Sequence, residues 1–126
     1  MAPSESELVR LVRHAGDDWL AALIGRRPDL ARPVPPSLTA LAARAATRGS
    51  AGRAIAHLPV PDLVALEAVA VLTAGRGHVA VTALSAATGF DTSDAVERLR
   101  ADALLLGEDE VALAPGVAEA VGAAPL

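Results

Sequence analysis

The spacing of apolar residues predicts a chain of short helices. "SESELVRLVRHAG" opens with Ser4 and Glu7 in S-x-x-E spacing, where each side chain can satisfy the other's free backbone N–H, so a first helix runs to about His14. Gly16 ends it and Asp17 can cap the next, in which Trp19, Leu20, Leu23 and Ile24 recur at helical intervals until Pro28 removes a backbone donor. "RRPDLARPVPP" holds four of the nine prolines and reads as an extended connector that its neighbours must hold in place. Ser37 caps a third helix, "LTALAARAATR", with Leu38, Leu41, Ala42 and Ala45 on one face; "GS" at 49–50 then breaks it before a short fourth helix.

The pattern changes after residue 60. From Pro61-Asp62 to about Ala74, "LVALEAVAVLTA" is apolar nearly all round with only Glu67 charged, which calls for cover on most sides and a central position. "HVAV" is a short strand candidate, Thr82 caps "TALSAATG", and Ser93 caps "DAVERLRADAL". "LLLGEDEVAL" forms a hairpin with Glu108, Asp109 and Glu110 at its tip, and "PGVAEAVG" closes as a short helix with Pro115 in its first turn. The expected fold class is mainly α: an N-terminal helical subdomain over 1–60, packed on a winged helix-turn-helix with a small β-hairpin wing over 61–126, as one folding unit.

Charge divides at the same place. Residues 1–60 carry eight Arg against five acids, whereas 61–126 carry three Arg against ten, so the halves are expected to attract each other. With one Trp, one Phe and no Tyr, the core must come from close-packed Leu, Val and Ala, with Trp19 as its one large side chain. The absence of Cys removes disulfides, thiolate metal sites and cysteine nucleophiles together. Every stretch of about 18 residues contains a charge or a breaker, and "MAPSESELVR" places acids where a signal peptide needs an apolar run, so a cytoplasmic protein without a membrane partner is expected.

The order of connector, Arg-containing helix and acidic hairpin carries a resemblance. The pattern "RPDL…P.P..L..LA.RA..R.S..RA", followed by the helix-turn-helix and "LLLGEDEVALAPGVAEAVG", resembles the N-terminal region of actinobacterial helicase-associated domain proteins over essentially the whole chain. That resemblance implies a larger parent, with a distal region similar to the C-terminal domain of XPB-type helicases, and a role in DNA transactions or repair. Catalytic residues do not carry over, because nothing matches G-x-x-x-x-G-K-[ST] and the chain has no Lys for a phosphate-cradling loop.

Other chemistry is sparse. His14, His57 and His78 lack metal-ligand spacing and read as surface or capping residues; Ser50 lacks the G-x-S-x-G context of a nucleophile and reads as a helix cap. No metal, cofactor or catalytic residue is expected. With Val96, Leu99 and Ala103 inward, the helix from Ser93 turns Asp94, Glu97, Arg98 and Ala101 outward, a face of net negative charge. A non-catalytic interaction module is therefore expected, using Asp94, Glu97, Glu108, Asp109 and Glu110 to dock other domains of its parent or a helicase or repair protein. The alternative is a DNA-binding winged helix whose sequence-tolerant, phosphate-driven contacts come from Arg44, Arg48, Arg53, Arg98 and Arg100.

Overall fold

The computed structural model describes residues 3–123, with side chains to Val121. The outer ends of the two expected segments, 1–2 and 124–126, lie outside the described residues. The chain is mainly helical with one small antiparallel sheet. The first four helices are α1 (Glu5–His14), α2 (Asp17–Arg26), α3 (Leu38–Ala45) and α4 (Arg48–Ala56). Then come α5 (Val60–Thr73), β1 (Val79–Ala80), α6 (Val81–Thr88), α7 (Ser93–Ala101), β2 (Leu105–Gly107), β3 (Glu110–Leu113) and α8 (Val117–Ala123).

Local signals place several of these ends. Ser4 Oγ accepts from the Glu7 N–H at the start of α1, and Ser37 Oγ accepts from the Ala40 N–H at the start of α3, each satisfying a donor that has no partner within its helix. Other caps differ from expectation. Gly16, at φ 97°, precedes α2 and Asp17 is its first residue; Thr82 lies inside α6; Pro115 precedes α8 rather than opening it. The break after α3 falls at Ala46–Thr47, where Thr47 Oγ1 accepts from the Ser50 N–H, so Gly49 and Ser50 belong to α4. The connector is also less extended than its prolines predict: Pro28–Ala31 form a 3-10 turn that buries Leu30 completely. Arg44 holds the rest of it by donating to the carbonyls of Leu30 and Pro33.

Two apolar clusters make the core. One joins Leu8 and Val12 of α1, Leu23 of α2, Leu30, and three of the four residues of the α3 face expected from its periodicity, Leu41, Ala42 and Ala45, while the fourth, Leu38, in the first turn, stays exposed. The other gathers Leu66 and Val69 of α5 with Leu84, Leu99, Leu104 and Val111. Each borrows from the opposite half, since Ala51 of α4 lies in the second cluster and Ala103 in the first. α4 packs directly on α8, and Gly116 makes this possible: at φ 89°, a Cβ there would stand 2.1 Å from the Ala46 carbonyl oxygen.

α5 packs against α6, α7, α8, β1 and β3, so it is central, but it is not covered on most sides. Asp62, Ala65, Leu66 and Val69 are buried, while Val60 and Val71 are 73% and 78% exposed. Its neighbours all lie to one side, and an apolar composition does not say where they stand.

The sheet has the order β1-β3-β2, all antiparallel. β1 joins the hairpin by pairing Val79 with Val111 and Ala80 with Glu110. Glu110 is thus a strand residue and Glu108-Asp109 form the tip; the Asp109 carbonyl accepts from the Val81 N–H, tying the tip to the start of α6. Among the described residues no helix is long and apolar enough to cross a membrane.

Candidate functional site

α7 is positioned by the turn before it. Thr92 is fully buried; its N–H donates to Ser85 Oγ at 3.0 Å, and the two hydroxyls lie 2.8 Å apart. Asp91, rather than Ser93, supplies the capping side chain: its carboxylate accepts from the Ser93 N–H at 2.9 Å and the Ser93 hydroxyl at 2.6 Å. These two hydrogen bonds favour the charged form and hold the Asp91 carboxyl below its ordinary value. A folded pKa below the unfolded one gives stability that is present above the ordinary aspartate range and lost as pH falls through the lower, folded value. An NMR titration should therefore show the Asp91 midpoint below about 3.9, and Asp91→Ala should remove part of the acid-side loss of stability. A midpoint at or above the ordinary value would contradict this capping role.

The expected division of α7 into faces is observed. Ala95, Val96 and Leu99 are buried, and Asp94 and Glu97 are exposed. The outward Arg98 and the half-buried Arg100 are both already engaged by carboxylates of the same chain. Arg98 donates twice from Nε and once from Nη2 to the carboxylate of Asp62, with the closest contact at 2.7 Å; Asp62 is 1% exposed. Those hydrogen bonds raise the Arg98 pKa, so the guanidinium stays charged. Arg100 reaches back one turn to Glu97 at 3.0 Å. Glu108, Asp109 and Glu110 stand exposed at the hairpin end.

The arginines of the basic half do not converge. Arg44 is folded onto the connector. Arg48 is exposed and makes no ion pair or side-chain hydrogen bond among the described residues, whereas Arg53 lies 3.9 Å from Asp29. Arg48 and Arg53 sit about 140° apart around α4.

A buried node at the junction of the two halves went unrecognised in the sequence. Arg27 is 2% exposed, and donates to the Asp102 carbonyl at 3.0 Å, the Ala45 carbonyl at 3.2 Å and Ser50 Oγ at 2.9 Å. Ser50, buried rather than capping, donates a hydrogen bond from its hydroxyl to the Asp29 carboxylate at 2.7 Å. Burial lowers the Arg27 pKa, opposed by the nearby charges of Asp29 and Asp102. Arg27 Nε has no hydrogen-bond partner. Beside it Arg26 pairs with the Asp102 carboxylate, which is the one ion pair among the described residues that joins the basic half to the acidic half. Arg98 and Asp62, by contrast, pair within the acidic half. In sequence Arg27 is one of eleven arginines, and nothing local distinguishes it.

Between α1 and the edge formed by α7 and the hairpin runs a groove of about 840 Å³. Trp19 lines it. The residue expected to be the core's large side chain packs against the first cluster but is only partly buried. Among the described residues there is no group of three or more His, Asp or Glu that could hold a metal ion. No family model, curated protein or solved structure matches the chain.

Proposed function

We propose that the chain is a non-catalytic interaction module that docks a basic protein surface through the outward face of α7 and the acidic hairpin. The observation that carries this reading is that both α7 arginines already hold carboxylates of the same chain, Arg98 the buried Asp62 and Arg100 the exposed Glu97. A helix that reads bases or grips phosphates needs free cations to displace counterions. Here the face offers Asp94, together with Glu97 that it shares with Arg100, and the hairpin adds Glu108, Asp109 and Glu110. The succession α5-β1-α6-α7-β2-β3 supports a winged-helix assignment for this half, with the N-terminal helices packed on it. The resemblance to helicase-associated domain proteins makes other domains of a larger parent, or a helicase or repair protein, the natural partner, and a cytoplasmic setting follows from that role.

A second reading, phosphate-driven DNA binding by Arg44, Arg48 and Arg53, draws support from the exposure of Arg48 and Arg53. A titration against duplex DNA over a range of salt separates the two. The docking reading expects weak wild-type binding at physiological salt, and tighter, steeply salt-dependent binding once Glu108, Asp109 and Glu110 are replaced by Lys. Tight wild-type binding that Arg44→Ala, Arg48→Ala and Arg53→Ala together abolish would reverse the assignment.

A further inference from the structure

The docking surface described above borders the 840 Å³ groove, whose size falls within the range of ligand sites, about 300–1,000 Å³. Its apolar lining is Leu11, Trp19, Ala101, Leu105 and Leu106. Trp19 presents part of its ring, and its Nε1 has no hydrogen-bond partner among the described residues. Such a half-covered indole, apolar in body with a free polar edge, is the side chain most often found anchoring protein contacts.

Three elements each bring an acid to the rim: Glu7 from α1, Glu97 from α7 and Glu108 from the hairpin. Asp94 stands one turn before Glu97 on α7 and Asp109 and Glu110 follow Glu108 in the chain, while the arginines lining the same groove are Arg10 and Arg100, of which Arg100 is paired with Glu97. The α1 wall presents Glu7, Arg10, Leu11 and His14, a run of i, i+3, i+4 and i+7 that extends about 10 Å, or two helical turns.

From this arrangement we infer that the groove seats an amphipathic basic segment of the docking partner, its apolar residues on Trp19 and the leucines and its cations on the acidic rim. The inference rests on the docking reading and adds where and by what the partner is held. An apolar floor with an acidic rim selects against nucleic acid and against an acidic peptide. A groove walled by helix turns suits a helix inserted by i, i+3, i+4 and i+7 anchors. Arg26, Arg27, Arg44 and Arg98 are committed to contacts within the chain.

Trp19 is the only Trp and the chain has no Tyr, so its emission reports on the groove alone. The probe is a two-heptad Leu/Lys amphipathic peptide titrated into the full chain, with a Leu/Glu peptide of the same pattern as control and anisotropy of a labelled peptide as an independent measure of binding. The Leu/Lys peptide should bind saturably, shift Trp19 emission and protect it from acrylamide quenching; the Leu/Glu peptide should do none of these. Glu7→Lys combined with Glu108→Lys, both exposed positions, should raise the low-salt Kd about tenfold, since each reversal acts on the scale of an exposed ion pair. Binding seen by anisotropy with Trp19 emission and quenching unchanged overturns the groove while leaving the docking reading intact. Equal binding of the two peptides, or an unchanged Kd in the double variant, overturns the charge selection and the inference with it. No binding of the Leu/Lys peptide at all removes both the groove and the docking reading.

Discussion

Replacing Arg27 by Ala is expected to destabilise the fold by about 3–5 kcal/mol, the scale on which a buried charge network fails when one partner is removed. The guanidinium fork serves three acceptors on three segments: the Asp102 carbonyl after α7, the Ala45 carbonyl at the end of α3, and Ser50 in α4. Without it, the two carbonyls and the Ser50–Asp29 pair are left with fewer donors. Arg27→Lys should lose most of the same stability, because an ammonium is a point donor that cannot reproduce the planar fork. Ser50→Ala should cost less, about 1–3 kcal/mol, by leaving Arg27 and Asp29 each short of a partner. The two effects should not add, as they belong to one network. Denaturant midpoints at constant m-value measure all of this. A shift for Arg27→Ala equivalent to under about 0.5 kcal/mol, the range of ordinary surface changes, would mean the node does not clamp the halves together.

Cutting the chain at residue 60 should have a still larger effect, leaving neither piece with a cooperative thermal transition. The cut takes only Val60, the first residue of α5, from any helix, but it divides both cores. Ala51, Ala54, Ile55 and Leu58 pack on the second cluster, so the fragment 61–126 would expose the surface that α4 covers on α8. The fragment 1–60 would lose Ala103 and Leu106 from its cluster and the Asp102 acceptors from Arg26 and Arg27. A piece of about 60 residues buries only about 60% of its unfolded surface, too little to lose contacts on that scale. Circular dichroism of the two fragments decides the point: two cooperative melts at the intact chain's Tm would establish two autonomous domains.

What could be read from the sequence is what depends on neighbours within a few positions. The Ser4 and Ser37 caps, the α3 face of Leu41, Ala42 and Ala45, the hairpin after α7, and the exposure of Asp94 and Glu97 all follow from turn chemistry and helical period, which act over three or four residues. Capping was ambiguous where several short polar residues adjoin. Asp91-Thr92-Ser93 offers three candidates, and Asp91 is chosen because Thr92 is drawn into the interior by Ser85.

The rest was decided by tertiary structure, because burial is a property of position in space and not of residue type. α5 looks uniformly apolar, yet Val71 is left bare because its neighbours gather on the side of Leu66 and Val69. Trp19 meets a groove because α1 and the hairpin stand apart there. Arg98 points outward on its helix, as the periodicity requires, but its guanidinium is paired with a buried Asp62 thirty-six residues earlier. Arg27 and Arg26 are adjacent and alike in sequence. One is sealed at the junction and the other pairs at its edge, since only the packed chain brings Ala45, Ser50 and Asp102 to the same point, where three acceptors meet the two terminal nitrogens of the Arg27 guanidinium.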